Sequence, residues 1–295
     1  MLTRRGILLA ALGGVLSGVT GCTRRDPTVI GRPSAVPSLS GAPSAVAGAP
    51  YASLAAGLAA AIRGGAAGTD RLGGFKDRAA AAFDAHAAFF AAGTTAAAPG
   101  GSLSEAAGSA ATTFLAAPAR GTSAARLAAA GAYAAAVASL AGARSPRTPA
   151  EAPSADTIAA LGDAEAMTAL VVQLHAALFA IEAAIAQLSG EDAAWARVLL
   201  DGHRAARDGL AAELGRRSLR VPAAQVAYDI GRPTDTAGAV ALLARVETAV
   251  LPDACRVTRA ATDETVRRLG ASALEDAAVA VARSGGGLPV WPGWA

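Results

Sequence analysis

The side chains best suited to chemistry are histidines and carboxylates that recur at helical spacing beside apolar residues. His175 and Glu182 are seven positions apart, so on a helix they lie two turns apart along one face. His203 and Glu247 stand on two later apolar stripes, and Arg207 follows His203 by about one turn. The spacing therefore predicts an interior polar cluster of Glu182, His203, Arg207 and Glu247, with His175 beside them.

Two roles are open for this predicted cluster. Charged groups that leave water need partners, so these side chains can satisfy one another and fix the register of the helices. The same groups can also bind a ligand, because desolvated ionisable groups are common at functional sites. Structural pairing is the favoured role, since buried ion pairs are common without chemistry.

The histidines lack the neighbours of a di-iron site. Such a centre in a helical bundle uses a Glu-x-x-His pair on each of two helices. The residues three positions before the histidines are instead Phe83, Val172 and Leu200. The sequence therefore predicts neither a metal site nor a cofactor, and His86, which precedes Phe89 by one turn, is predicted to be a core histidine.

The sequence contains no recognisable catalytic motif. Its glycine-rich segments 64–70 and 285–287 do not follow strands, so they are interpreted as turns and not as phosphate-binding loops. A Gly-x-Ser-x-Gly elbow, paired cysteine ligands and a nucleophile–base arrangement are all absent from the sequence. We therefore predict no catalytic residue.

The start of the chain has the features of an export signal. Arg4 and Arg5 precede the uncharged apolar stretch 7–21. As a helix this stretch would be about 22 Å long, which is short of the ~30 Å hydrocarbon core of a bilayer. The pattern predicts a cleaved signal peptide over residues 1–21 and not a spanning anchor.

A cysteine follows directly. Residues 19–22, Val-Thr-Gly-Cys, resemble the lipobox of bacterial lipoproteins, so we predict that Cys22 is lipidated. Residues 22–50, rich in Pro, Ser, Gly and Ala, are predicted to be a flexible linker. The expected location is the cell membrane, lipid-anchored, on its extracytoplasmic face. Residues 3–8 also resemble a twin-arginine export signal, although two arginines fit the general pathway equally well.

The charge and the cysteine content of the chain limit the kinds of binding partner that we expect. The formal net charge is +3, and removal of the leader with its two arginines lowers it to +1, so no nucleic-acid partner is predicted. With Cys22 lipidated, Cys255 has no disulfide partner and is predicted to be a small apolar core residue. The predicted partners are the membrane, through the lipid anchor, and an envelope protein of unknown identity; the oligomeric state is left open.

Alanine-rich segments punctuated by Gly and Pro predict an all-α fold, because alanine is the best helix former. In an N-terminal helical region, 51–145, a capping box is expected at Ser102. A proline-rich stretch, 144–154, is interpreted as a linker between two halves. The helices predicted in this first region are 51–63, 72–92, 103–117 and 122–142.

The second half, 155–295, is predicted to be a ferritin-like four-helix bundle, because short links and one long crossover join its helices. Its tail is too rich in Gly and Pro to be helical, and its two tryptophans are expected to pack on the bundle. The expected landmarks are a first helix that ends at Gly190, a second over 192–216, a third from about Asp235 that Pro252 kinks or splits, and a short fourth from a capping box at Ser272.

From about residue 165 to the end, the chain resembles the ferritin-like domain of unknown function of actinobacterial secreted lipoproteins. The resemblance rests on "LHAALFAIEAAIA", "DGHRAARDGLAAEL", "VAYDIGRPTDTAGAVALLARVE" and "LPVWPGW". It implies a fold and no reaction. One departure is Leu174, where relatives tend to carry a glutamate.

The sequence is therefore consistent with three candidate functions. The favoured one is a non-enzymatic, membrane-tethered helical scaffold or interaction module of the cell envelope. The second is a ferritin-like protein that binds a small ligand or metal in the bundle core. The third, an enzyme that uses the polar cluster as acid and base, is the least favoured.

Overall fold

A computed structural model describes residues 48–91, 93–142, 147–152 and 155–294. Within these ranges the chain forms eight α-helices and one 3-10 helix, and no strand, which confirms the all-α prediction. The predicted signal peptide, Cys22 and nearly all of the predicted linker lie outside the described residues.

The N-terminal region contains four of the α-helices. The predicted helix over 72–92 begins later than expected, at Lys76, because Gly73 with φ +51° and ψ −132° interrupts the helical backbone before it. The capping box at Ser102 is confirmed, since its hydroxyl accepts from the Glu105 amide and the Glu105 carboxylate accepts from the Ser102 amide. The elements are α1 Ala49–Arg63, the 3-10 helix Thr69–Phe75, α2 Lys76–Phe90, α3 Leu103–Leu115 and α4 Gly121–Gly142.

The C-terminal half contains α5 Asp163–Ile185, α6 Gly190–Arg216, α7 Thr236–Ala260 and α8 Glu264–Arg283. We call these four helices the second bundle. The prediction that Gly190 ends the first of them is wrong. That helix, α5, ends at Ile185, and Gly190 is the first residue of α6.

One further prediction about these helices is wrong. The last helix does not begin at Ser272 but eight residues earlier, at Glu264, because the Asp263 carboxylate caps the amides of Thr265 and Val266. Of the two effects predicted for Pro252, a kink or a split, the split does not occur, because α7 continues through the proline to Ala260. Buried residues on both sides of the proline hold that helix against its neighbours, and this packing outweighs one lost hydrogen bond.

Contacts at the helix ends fix the connectivity of the second bundle. Arg217, just after α6, pairs with Asp163 at the start of α5 at 2.8 Å, so these two helices are antiparallel. The Thr236 hydroxyl at the start of α7 donates to the carbonyl of Gln187, just beyond α5, at 2.9 Å. Residues 217–235, which connect α6 to α7, therefore run back along the length of α5. We call this connection the second crossover, because it belongs to the second bundle. It makes α6 and α7 parallel.

The last link is short, and α8 returns antiparallel to α7. The helix pairs in contact are α5·α6, α5·α7, α7·α8 and α6·α8, which describes a ring of four. This order, with one long crossover between the second and third helices, is compatible with a ferritin-like bundle.

The C-terminal tail packs on the helices, as predicted. Trp291 and Trp294 are both buried. Gly293 has φ +84°, and a Cβ there would lie 2.5 Å from the Cys255 Cβ and 2.6 Å from the Leu251 carbonyl oxygen, so only glycine fits. Burial raises the pKa of the Cys255 thiol to about 12, which agrees with its predicted role as a core residue.

Among the residues that the structure describes, two helices, α4 and α5, are long and apolar enough to span a membrane, with mean hydropathies of 1.4 and 1.8 over an 18-residue window. In the structure 89% of the α4 window and 50% of the α5 window are buried. Core helices of bundles pass the same test, so hydropathy alone identifies no membrane span here.

Candidate functional site

His203 and Glu247 form an ion pair at the centre of the second bundle. His203 projects from α6 and Glu247 from α7, two helices at opposite corners of the ring. The imidazole Nε2 lies 2.8 Å from the Glu247 Oε2, and neither side chain is exposed. The apolar faces of both helices place these groups inside, because each stands among buried leucines and valines of its own stripe.

Each partner also has a polar atom that no other group of the described residues satisfies. These are the His203 Nδ1 and the Glu247 Oε1, both fully shielded from solvent. A buried polar atom without a partner costs about 1–3 kcal/mol. The pair therefore retains one unused donor or acceptor on each side, which is the chemical opening for a small polar ligand.

A third ionisable group, Asp276 of α8, lies beside this pair. A Cβ on Gly202 would be 2.7 Å from the Asp276 Oδ2, which places this carboxylate directly against α6 next to His203. Burial raises the pKa of Asp276; the charge of His203 lowers it, and that of Glu247 raises it further. Neighbouring Glu275 also has a raised pKa, chiefly through burial and secondly through Asp276.

The charges around His203 favour its protonated form. Burial, the largest single influence, lowers the pKa of His203, but the charge and hydrogen bond of Glu247 and the charge of Asp276 together raise it above its ordinary value. The site is therefore a buried histidine whose protonated form is favoured, hydrogen-bonded to Glu247 and flanked by Asp276.

The other predicted members of the cluster lie elsewhere. The Glu182 carboxylate pairs with Arg204 at 2.7 Å, where both side chains are about half exposed. Arg207 pairs with its neighbour Asp208 at 2.7 Å, also at the surface.

His175 is part-buried, and its Nε2–H donates to the carbonyl of Pro222 in the second crossover at 3.3 Å. The predicted five-residue interior cluster is therefore corrected to the His203–Glu247 pair. The reason is the rotation of α5: Leu174, Leu178 and Ile181 face the core, so that Glu182 turns to solvent. Helical spacing predicts the apolar stripe of α5, but it does not show which edge of that stripe is buried.

Asp276 was missed by the sequence analysis. The capping box assigned to Ser272 placed it in the first turn of a short helix, where a carboxylate is expected for its effect on the helix dipole. With α8 beginning at Glu264, Asp276 instead stands beside the buried residues Ala273 and Ala277. The sequence signal that could have revealed Asp276 is the N-cap residue Asp263, which indicates an earlier start of α8.

His86 is a fully buried histidine, as predicted. Its Nε2–H donates to the carbonyl of Val290 in the tail at 2.7 Å, and its ring contacts Phe83, Tyr133 and Trp291. Burial lowers the pKa of His86 to about 4, with a smaller contribution from the charge of Arg126. The side chain is therefore neutral and structural.

The donor set of the second bundle does not fit a di-iron centre. Such a centre needs several carboxylates and two imidazoles that converge on two ions. Within the residues that the structure describes, no group of three or more His, Cys, Asp or Glu side chains has the geometry to hold a metal ion.

Comparison with known proteins supports a family match over the second half of the chain and names no reaction. Residues 166–295 match the family described as Domain of unknown function (DUF4439). A crystal structure of a conserved hypothetical protein, rv2844, from Mycobacterium tuberculosis is 23% identical, with a TM-score of 0.39 over 41% of this chain and 93% of that chain. No curated protein is significantly similar to this chain. The matched segment contains both members of the buried ion pair.

Proposed function

We propose that this chain is a membrane-tethered lipoprotein of the cell envelope whose folded part is a helical scaffold or interaction module. The tether rests on the sequence: the apolar leader and the lipobox-like residues 19–22 that end at Cys22. Lipidation adds about 0.8 kcal/mol per buried CH₂, so two or three acyl chains suffice for stable anchoring.

One surface supports the interaction role. Among the described residues, five large apolar side chains are exposed, and four of them belong to the second crossover or to the helix beneath it. Val226 is fully exposed at 104%, and Phe179 of α5 is 39% exposed. We call this set the crossover surface: Phe179, Leu219, Val221 and Val226.

The crossover surface is fastened in place and does not collapse onto the core. The His175 ring holds the Pro222 carbonyl, and the Phe179 ring contacts Tyr228 with centroids 5.4 Å apart. Further along, Arg245 of α7 donates to the Ile230 carbonyl. Several exposed large apolar side chains on one anchored segment support a contact site for another molecule there.

A photo-reactive residue at Val226 tests this proposal in intact cells. We expect it to form a discrete cross-linked product with an envelope protein, and we expect Val221→Asp to abolish that product. The matched control is Val198, an exposed valine on α6 that lies outside the crossover surface. Equal products from both positions, or none from either, would contradict the interaction role.

The tether has its own test. We expect the natural chain to partition into membranes and the Cys22→Ser variant to be released. Mass spectrometry of the mature N-terminus should then find acyl chains on Cys22. A natural chain with an unmodified cysteine would contradict the tether and leave the cross-linking result standing.

A second candidate function is ligand binding in the bundle core, favoured by the unsatisfied His203 Nδ1 and Glu247 Oε1. Native mass spectrometry and metal analysis of protein purified from its own membrane test this candidate. A stoichiometric bound species that Glu247→Gln removes and Glu182→Gln retains would support it. An empty protein would contradict it.

A further inference from the structure

The N-terminal region repeats the connectivity of the second bundle. The start of α1 lies against the end of α2, since Tyr51 and Phe90 have ring centroids 5.9 Å apart, so these helices are antiparallel. A Cβ on Gly57, midway along α1, would lie 3.2 Å from the Ala97 carbonyl oxygen. The connection 93–102 therefore runs back along α1, as the second crossover does along α5.

The remaining two helices complete the same order. The Leu103 amide at the start of α3 donates to the carbonyl of Ala67, beyond the end of α1, at 2.9 Å. The Ser104 hydroxyl donates to the Ala138 carbonyl near the end of α4 at 2.9 Å, so α3 and α4 are antiparallel. We call α1–α4 the first bundle.

Both bundles also have the same ring of neighbours. The pairs in contact are α1·α2, α1·α3, α3·α4 and α2·α4 in the first bundle, and α5·α6, α5·α7, α7·α8 and α6·α8 in the second. Each pair of the first bundle corresponds to a pair of the second when the helices are taken in chain order. The match to the family begins only at residue 166 and therefore leaves the first bundle unassigned.

The fourth helix of the first bundle joins the two. Every residue of α4 from Ala124 to Val137 is buried, although a helix on the outside of one bundle has a solvent-facing side. Its second buried side is covered by α7 and α8. Alanine and glycine make up most of this stretch, which lets the helix axes approach closely.

The C-terminal tail adds a clasp from the second bundle to the first. The Arg126 guanidinium carbon of α4 lies 3.4 Å from the Trp294 ring centroid and 4.4 Å from that of Trp291. His86 of α2 donates to the Val290 carbonyl nearby. Cation–π contacts are stronger where both groups are shielded from water, as Arg126 and the two tryptophans are here.

We propose that this chain is an intramolecular pair of like four-helix bundles, and that the face formed by α7, α8 and the tail is a docking surface for a four-helix bundle. Its occupant is the first bundle of the same chain, residues 49–142. The bundles are then partners held by that surface, and the covalent connection between them is dispensable once they have docked.

A cleavable connection tests the proposal in the intact chain. A recognition sequence for a site-specific protease is inserted within residues 143–146, and the folded, detergent-solubilised protein is cut and diluted. We expect size-exclusion chromatography and native mass spectrometry to show both pieces as one complex with the mass of the uncut chain. Pieces that separate or precipitate after cutting, while the uncut insertion variant stays monodisperse, would overturn the proposal.

The clasp supplies the matched comparison. Arg126→Leu and Trp294→Ala, each introduced into the cleavable chain, should weaken the association of the cut pieces at least about tenfold. Arg197→Leu, at an exposed arginine of α6, should leave it unchanged. Equal dissociation of the Arg126→Leu, Arg197→Leu and parent complexes would overturn the assignment of the surface.

Discussion

His203 and Glu247 meet across one diagonal of the second bundle, between α6 and α7, which are parallel and are not neighbours in its ring. A 2.8 Å contact between fully buried groups fixes how far α6 and α7 are displaced along each other. Apolar side chains tolerate such a displacement better, because their contacts have no direction. The ion pair is therefore well placed to specify register, whether or not it also holds a ligand.

Removal of one member of this pair should destabilise the fold strongly. We expect Glu247→Ala to lower the free energy of unfolding by about 3–5 kcal/mol, because it leaves His203 buried without a partner. Glu182→Ala, at the exposed carboxylate that pairs with Arg204, should change it by no more than about 0.5 kcal/mol. Urea denaturation measures both, and equal losses would refute the distinction between the two carboxylates.

Removal of both members should cost much less than the two single losses together. The double variant His203→Leu/Glu247→Met replaces the ion pair by apolar groups, a change that is often neutral or stabilising. A double-mutant cycle on the same urea titrations gives the coupling free energy. Additive losses would show that the two side chains contribute independently, which contradicts a structural ion pair.

Acid should destabilise the protein through His86. Its pKa is about 4 in the fold and about 6.5 in an unfolded chain. Between these values the unfolded chain binds more protons, so the free energy of unfolding falls as the pH falls through this window. Melting temperatures from pH 7 to pH 4 should show this loss, and His86→Gln, which keeps a donor for Val290, should flatten it. An unchanged slope in the variant would assign the acid sensitivity elsewhere.

His203 should titrate in the opposite direction. Its pKa is raised in the fold, so its stabilising contribution is fully present below about pH 6.5 and is lost as the pH rises through the folded pKa. NMR titration of the imidazole signals, assigned by substitution, should place His203 above that value and His86 and His175 below it, since burial lowers the pKa of both. A His203 signal that titrates below His175 would contradict the arrangement of charges around it.

The sequence was sufficient to predict the fold class and most helix positions, because alanine-rich stretches between Gly and Pro have few alternatives. It failed where two signals competed. Ser272 and Glu275 have the spacing of a capping box, but the helix begins at the earlier cap, Asp263. The residues between Asp263 and Ser272 also pack as a helix, so the chain is already helical where Ser272 stands. Local spacing cannot show which of two caps the tertiary contacts select.

Only part of the site could be predicted, because spacing along one helix does not show how that helix packs. Periodicity identified His203 and Glu247, whose stripes have one buried side. The broader stripe of α5 left two edges open, and only packing against α6 and α7 decides that Leu174 faces inward while Glu182 does not. The likeness of the two bundles has no counterpart in the sequence pattern, because it resides in the paths of the connections along α1 and α5.

The tail should depend on glycine at position 293. In Gly293→Ala the new Cβ would meet both the Cys255 Cβ and the Leu251 carbonyl oxygen well inside contact distance, and φ is +84°. Gly65→Ala is the matched control, because φ there is +72° but nothing lies within 4 Å of the new Cβ. Strain in φ alone costs about 1–2 kcal/mol, so the control should lose that much in urea denaturation. Gly293→Ala should lose more and should also red-shift tryptophan fluorescence, because Trp294 leaves its buried position over Arg126. Equal losses in the two variants, with unchanged fluorescence, would show that the tail is not closely packed against α7.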